Sequence, residues 1–406
     1  MKKKVFIGLQ DIASFIGDWR FGAEKSGSKV MSAVTAVNNV VTNSEIEYNF
    51  SKMKRYKFRG IRPIKLQQKL QRYFSPKERV FRKSLRQCDV FIFIWSSFKA
   101  DFSDYKILKR KGKKIITMFV GSEVRWVDGL NQELSGFGGK LEINETKEKL
   151  KRNLLALRVA EKYSNVILGQ PNFMQLALRP YSNLFIPIKL EEFKHNPIQR
   201  KVPVIIHAPT NAEIKGSKYI EYVIKRLKED GVEFEYKRLE KVPRAEALSI
   251  YLESDIVVDQ LLFPGGGKLT HECLAMGKVV LAYMNYEGYD QKKPKDCPII
   301  DVDTENLYEV LKATIIDFEL RDAVANKGRN YIKKYHNPKV IFQQTLALLE
   351  NNSNQEKLEF TPNFFREQFI PESENLVVYN KWNEYVKDCD WYKKNIPSGE
   401  REGLIF

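Results

Sequence analysis

The sequence predicts an α/β protein built from two Rossmann-like domains. Strand-length apolar runs alternate with helix-length amphipathic segments along most of the chain, the pattern of βα units and parallel sheets. At 406 residues the chain is longer than a single hydrophobic core usually serves. The alternation breaks once, after Pro187, in the charged, proline-containing stretch IKLEEFKHNPIQRKVP, and then restarts. Such a stretch reads as a linker between domains.

In chain order, the first half is expected to place strands at Lys3 to Gly8, Lys29 to Thr35, Asp89 to Trp95, Lys113 to Phe119, Asn165 to Gly169 and Leu184 to Ile188. Helical patterns lie between them, including Lys106 to Lys111 and Lys147 to Tyr163. The second half offers strands at Val204 to Ala208, Phe234 to Arg238, Asp255 to Leu261, Val279 to Met284 and Pro298 to Asp301. Its helices are expected at Ser217 to Glu229, Arg244 to Glu253, Lys268 to Met276, Glu305 to Ile316 and Leu320 to Tyr335. The domains expected are therefore 1–190, a linker at 191–201, a second domain at 202–350, and an aromatic extension at 351–406 that packs back as helices. Two such domains form a cleft, and ligands of open α/β sheets bind outside the carboxyl ends of the strands.

Composition narrows the class. Apolar content of 43% with 12% aromatics excludes a disordered chain. The longest apolar runs, Val90 to Trp95 and Val202 to Ala208, are far too short to span a bilayer. The N-terminal MKKKVFIGLQDIAS is interrupted by Gln10 and Asp11 before a signal-peptide core is complete, so it reads as a first strand. The four cysteines, Cys88, Cys273, Cys297 and Cys389, show no CxxC spacing, which fits reduced thiols in a cytosol and gives no metal framework.

The stretch FPGGGKLTHECLAMGKVVLAYM sets three glycines and Lys268 in front of a short helix that carries Glu272. A nucleotide P-loop fails here, because Leu262 and Leu269 occupy positions that require Gly and Ser or Thr. A GxGxxG fingerprint fails at Thr270. What remains is a glycine turn whose backbone N–H groups, from Gly265, Gly266 and Gly267, can meet an anion at the helix N-terminus, or simply a turn joining a strand to a helix.

The longer segment DIVVDQLLFPGGGKLTHECLAMGKVVLAY resembles the carboxyl-terminal donor-binding signature of GT-B glycosyltransferases, specifically the retaining glycosyltransferase family 4. That signature reads E-G-F-G-x-x-x-x-E-A-M-A-x-G-K-P-V. Gly265, Gly267, Glu272, Ala275, Gly277, Lys278 and Val280 match it, whereas Pro264 stands at its first glutamate and Gly266 at its aromatic. Upstream, IIHAPTNAEIKGSKYIEYVIKRLKEDG is similar to the family's strand, loop and helix. Lys215 aligns with the lysine that meets the donor phosphates, and Thr210 stands where a companion arginine would be. In the first half, KKIITMFVGSEVRWVDG resembles a segment in which related enzymes carry H-G-S-D-x-R. Gly121, Ser122 and Arg125 match, Val120 and Glu123 do not.

The resemblance implies a GT-B fold, with its two domains facing across a cleft, and hexosyl-type transfer from a nucleoside-diphosphate sugar with retention. It implies Lys215 and Lys268 as the cations on the departing diphosphate, and Glu272 as the acceptor of the ribose hydroxyls. Gly265, Gly266, Gly267 and Asn211 join the donor site. The loop with Gly121, Ser122, Glu123 and Arg125 is expected to position the acceptor or the donor sugar, unless it is a turn capped by Ser122. No metal or other cofactor is expected. A sugar-nucleotide-binding protein without transfer activity, or a sugar-nucleotide epimerase, is the alternative, because Pro264 and Thr210 depart from the pattern. His207 and His271 flank the site, although a lone histidine is more often a packed neutral residue.

Net charge is +17, and its location matters more than its sum. Between Ser51 and Arg86, fourteen Lys or Arg residues face one acid, Glu78, so 14 − 1 gives +13 in that window alone. Tyr56, Phe58, Tyr73, Phe74 and Phe81 are interleaved with them. Basic residues near an anionic bilayer contribute about 1 kcal/mol each, and aromatics sit at headgroup level. The expected enzyme is cytoplasmic and peripheral on the inner face of a bacterial cytoplasmic membrane. It would act on a glycan or lipid-linked acceptor in surface polysaccharide biosynthesis. No nucleic-acid module accompanies the charge, so nucleic acid is not the expected partner.

Overall fold

The computed structural model describes residues 3–35, 46–58, 62–127, 130–131, 146–177, 179, 181–197, 200–286, 294–350 and 359–360. The chain divides into two compact units, one of residues 1–126, 145–184 and 342–406, the other of residues 127–144 and 185–341.

The first unit contains β1 (Lys4–Leu9), α1 (Phe15–Lys25), β2 (Lys29–Val34), β3 (Tyr48–Asn49), α2 (Ile64–Tyr73), α3 (Pro76–Gln87), β4 (Val90–Ile94), α4 (Ser103–Arg110), β5 (Lys114–Met118), α5 (Lys147–Tyr163), β6 (Val166–Gly169) and β7 (Tyr181–Asn183). Its sheet runs β3-β2-β1-β4-β5-β6-β7, all parallel, and ends on β13 (Glu359–Phe360), which pairs antiparallel with β7. Helices on both faces explain why β4, VFIFI, is buried at every residue. Ser75 caps α3 by accepting from the Glu78 N–H, with Pro76 at the first helical position.

The second unit contains β8 (Val204–His207), α6 (Ala212–Lys215), α7 (Ser217–Glu229), β9 (Glu235–Arg238), α8 (Arg244–Leu252), β10 (Ile256–Val258), α9 (Lys268–Met276), β11 (Val279–Ala282), β12 (Ile300–Asp301), α10 (Leu307–Ile316) and α11 (Phe318–Tyr335). Its parallel sheet has the order β9-β8-β10-β11-β12, with every residue of β8, β10 and β11 buried. The order reverses between β8 and β10, the switch point at which doubly wound sheets bind ligands. The edge strand β9 reads EYKR and is largely exposed, and its charges discourage further pairing. Helix α12 (Pro338–Ala347) follows α11.

Three expectations change. The run Leu184 to Ile188 is not a strand; β7 lies just before it, at Tyr181–Asn183. Pro187 has no N–H to give a ladder. Ile188 is buried instead in the second unit's core, with Phe193, Ile206 and Val257, and the partly buried Ile186 packs against it. Strand β10 stops at Val258 rather than Leu261, because the Leu261 N–H turns to the Lys215 carbonyl at 3.2 Å. The basic stretch 51–86, apart from 59–61, which lie outside the described residues, carries α2 and α3. Of the extension expected as helix, Glu359–Phe360 form the strand β13, and the rest of 351–406 lies outside the described residues. Among the described residues no helix is long and apolar enough to cross a membrane.

Candidate functional site

Two loops of the second unit leave the carboxyl ends of the adjacent parallel strands β8 and β10. The first runs from Ala208 into α6, and the Asn211 side chain caps that helix by accepting from the Glu213 and Ile214 N–H groups at 3.0 and 3.1 Å. Asn211 thus has a local structural task. Lys215 ends α6, and Gly216 follows with φ +72°. A Cβ at Gly216 would lie 3.1 Å from Leu261 Cβ and 3.2 Å from Leu262 Cγ, so only glycine lets the two loops close on each other.

The Lys215 ammonium grips the Asp259 carboxylate, which also accepts a 2.6 Å hydrogen bond from Thr270 Oγ1. Asp259 is fully buried. Burial alone would push its carboxyl up, but the Lys215 ammonium and the Thr270 hydroxyl hold it below the usual carboxylate range. Gly267, the N-cap of α9, stands beside this pair: a Cβ there would be 3.8 Å from Asp259 Oδ2 and 4.0 Å from Lys215 Nζ. The Lys215 cation and the N-terminus of α9 are therefore brought together, as the sequence suggests. Lys268 is the first residue of that helix.

Glu272 lies farther along α9 and is buried. Its carboxylate meets the Arg244 guanidinium through two contacts, Nη2 to Oε1 at 2.7 Å and Nη1 to Oε2 at 3.3 Å. Arg244 opens α8. Tyr251 on the same helix ties the two carboxylates to one neighbourhood: burial first, then Cys273, Glu272 and Asp259, push its hydroxyl up.

Neither histidine is offered to a ligand. His207 places Nδ1 2.8 Å from the Val258 carbonyl and Nε2 2.8 Å from Ser217 Oγ. Nδ1 therefore carries the proton and Nε2 accepts. His271 Nδ1 lies 2.7 Å from the Gly267 carbonyl, and its ring centroid lies 4.1 Å from that of His336, the two planes tilted by 47°. Burial lowers the His271 pKa to about 4, and burial, then His271, lowers that of His336. A histidine with a depressed folded pKa stays neutral while the unfolded chain protonates, so its contribution is present above the unfolded pKa and falls away below it. We expect thermal stability to drop between about pH 6.5 and about pH 4, His271 alone accounting for roughly 3 kcal/mol. Melting curves across that range should show the slope in the wild type, and a flatter one in His336→Phe.

Part of the sequence signature is structural. Gly277 ends α9 in the left-handed region, and Lys278 is fully buried, donating to the carbonyls of Asn196 at 2.5 Å and Leu252 at 2.6 Å. Burial lowers the pKa of Lys278 to about 8.

The loop at Gly121 belongs to the first unit and follows β5. Its cap is Glu123 rather than Ser122: the buried Glu123 carboxylate accepts from the backbone N–H groups of Val120 and, at 3.0 Å, Gly121. Burial pushes its carboxyl up despite these bonds. Arg125 is buried and reaches over Gly121, leaving Ser122 as the exposed member of the four.

Sequence reasoning did not single out Asp259, Thr270 or Arg244. Asp259 carries a signal, a carboxylate that interrupts an apolar strand pattern at its carboxyl end. Arg244, at the first position of a short helix, carries none.

No protein-family model matches the chain, and neither does any curated protein. Solved structures do. Sucrose-phosphate synthase from Thermosynechococcus elongatus aligns over 86% of this chain and 98% of its own with a TM-score of 0.57 at 10% identity. HepE from Anabaena, in complex with UDP and glucose, aligns over 86% and 99% with a TM-score of 0.54 at 12% identity. The catalytic domain of starch synthase IV from Arabidopsis thaliana, bound to ADP and acarbose, aligns over 86% and 99% with a TM-score of 0.52 at 11% identity. At such identities the likeness speaks for architecture alone. With its two doubly wound sheets, and over most of its length, the chain has the GT-B fold.

Proposed function

We propose that this protein is a glycosyltransferase that moves a sugar from a nucleoside-diphosphate sugar to a glycan or lipid-linked acceptor with retention. The observation that carries the reading is the meeting of Lys215 with the glycine-capped N-terminus of α9 at the switch point of the second sheet. A cation beside a helix N-terminus suits a diphosphate, and in transfer it stabilises the charge of the departing nucleoside diphosphate. Lys268 adds a second formal charge. Glu272 accepts the ribose hydroxyls, and the acceptor oxygen attacks from the face the diphosphate leaves. The roles of cation are filled by lysines, so the proposal needs no metal. UDP, present in the HepE structure, is the natural first probe.

The test is calorimetry with a panel of sugar nucleotides, followed by product analysis. Binding and transfer to an added acceptor support the reading. Binding without turnover on any acceptor, or conversion of the free sugar nucleotide to an epimer, would replace it with the alternatives that Pro264 and Thr210 keep open.

We further propose that residues 51–86 hold the enzyme on an anionic membrane surface, consistent with an acceptor used in bacterial surface polysaccharide biosynthesis. Helix α2 supports this, because none of its residues is buried, and Ile64, Leu66 and Tyr73 are exposed beside Lys65, Lys69 and Arg72. The aromatics do not all serve. Phe81 is buried against Phe98, while Tyr56, Phe58 and Tyr73 cluster around Phe74 and Arg82 stacks 3.5 Å over the Tyr73 ring. Changing the exposed Lys52, Arg55, Lys57, Lys65, Lys69 and Arg72 to Gln should abolish flotation with phosphatidylglycerol vesicles. Equal flotation of variant and wild type would refute the membrane role.

A further inference from the structure

Glu272 is buried, with its side chain 3% exposed, and a bare carboxylate there would carry a large desolvation cost. Arg244 removes that cost. Its side chain is 21% exposed, and its two terminal nitrogens each take a different oxygen of Glu272. This fork fixes the carboxylate plane and uses two of about four acceptor positions on the carboxylate. Two positions remain, one on each oxygen, the number that a vicinal diol requires.

We propose that Arg244 is the positioning residue that holds the Glu272 carboxylate in the orientation it presents to the ribose of the donor nucleotide. The inference rests on the nucleotide-sugar reading above. It adds a residue that the sequence signature does not contain, supplied by α8 rather than by the glycine loop or α9.

The test compares UDP with inorganic pyrophosphate, which has the diphosphate and lacks the ribose. Affinities are measured by calorimetry for the wild type, Arg244→Gln, Arg244→Lys and Glu272→Gln, with melting temperatures for each. Arg244→Gln should lose about tenfold or more in UDP affinity while its pyrophosphate affinity stays within about twofold. Arg244→Lys keeps the charge without the fork and should lose less than the glutamine variant. Glu272→Gln should reproduce the UDP-selective loss. If Arg244→Gln leaves UDP binding intact, or weakens both probes equally, Arg244 does not position the ribose acceptor and the inference fails alone. If Glu272→Gln leaves UDP binding unchanged, or the wild type binds neither probe, the nucleotide reading fails and takes this inference with it.

Discussion

Lys215→Gln is expected to lower sugar-nucleotide turnover by at least about a hundredfold, the scale of losing one preorganised donor to a developing anion. The same change strands Asp259, which is fully buried, with Thr270 as its remaining donor. Breaking a buried ion pair by removing one partner costs about 3 to 5 kcal/mol, so a fall in activity alone would not separate chemistry from damage. The double variant Lys215→Gln/Asp259→Asn separates them. Two amides can bond to each other without a buried charge, so melting temperature should recover most of its loss. Turnover should not recover, because Lys268 and the helix N-terminus are then left without the Lys215 charge to neutralise the leaving diphosphate. Restored activity in the double variant would reduce Lys215 to a structural partner of Asp259.

The second large effect lies in the glycines, which have different tasks. At Gly267 a Cβ meets nothing closer than 3.8 Å, and φ is −82°, so alanine fits the fold. It fills the space beside Lys215 where the backbone would approach a phosphate. Gly267→Ala should therefore lose at least about tenfold in UDP affinity, roughly 1.4 kcal/mol, with little change in melting temperature. At Gly266 a Cβ would lie 2.9 Å from Thr270 Cγ2 and 3.2 Å from His271 Cε1. Thr270 cannot turn aside without releasing Asp259, and His271 is held by the Gly267 carbonyl and the His336 ring. Gly266→Ala should cost about 1 to 3 kcal/mol of stability as well as binding. Thermal melts and UDP titrations on the two variants check the contrast; matching losses of stability would contradict it.

Much of the fold was legible because its strands are all but continuous apolar runs. VFIFI, VIIH and VVLA can be buried on both faces only in a parallel sheet under helices, and they were placed to within a residue or two. Leu184 to Ile188 has the same composition and misled, since periodicity does not say which core receives an apolar run. Helices α2 and α3 were hidden by charge. Their polarity reads as a basic face, and α2 has no buried residue to give a periodic apolar signal a partner.

The site was legible where it follows a local signature and illegible where it depends on long-range pairing. Gly265 to Gly267, Lys268 and Glu272 stand in one loop and helix, and Lys215 in another with a recognisable lysine-glycine pair. Asp259 and Arg244 acquire their importance only through partners 44 and 28 positions away. No spacing rule announces such pairs. Lys278 and Gly277 show the converse, residues within the signature that hold the architecture together.

A crystal structure with a bound nucleoside diphosphate, UDP first, tests the central claim most directly. The account predicts both ribose hydroxyls within hydrogen-bonding distance of the Glu272 oxygens, with Arg244 still paired to that carboxylate. It places the phosphates between Lys215 and the N–H groups of Gly267 and Lys268. A ribose bound far from Glu272, with the phosphates away from the α9 N-terminus, would contradict it.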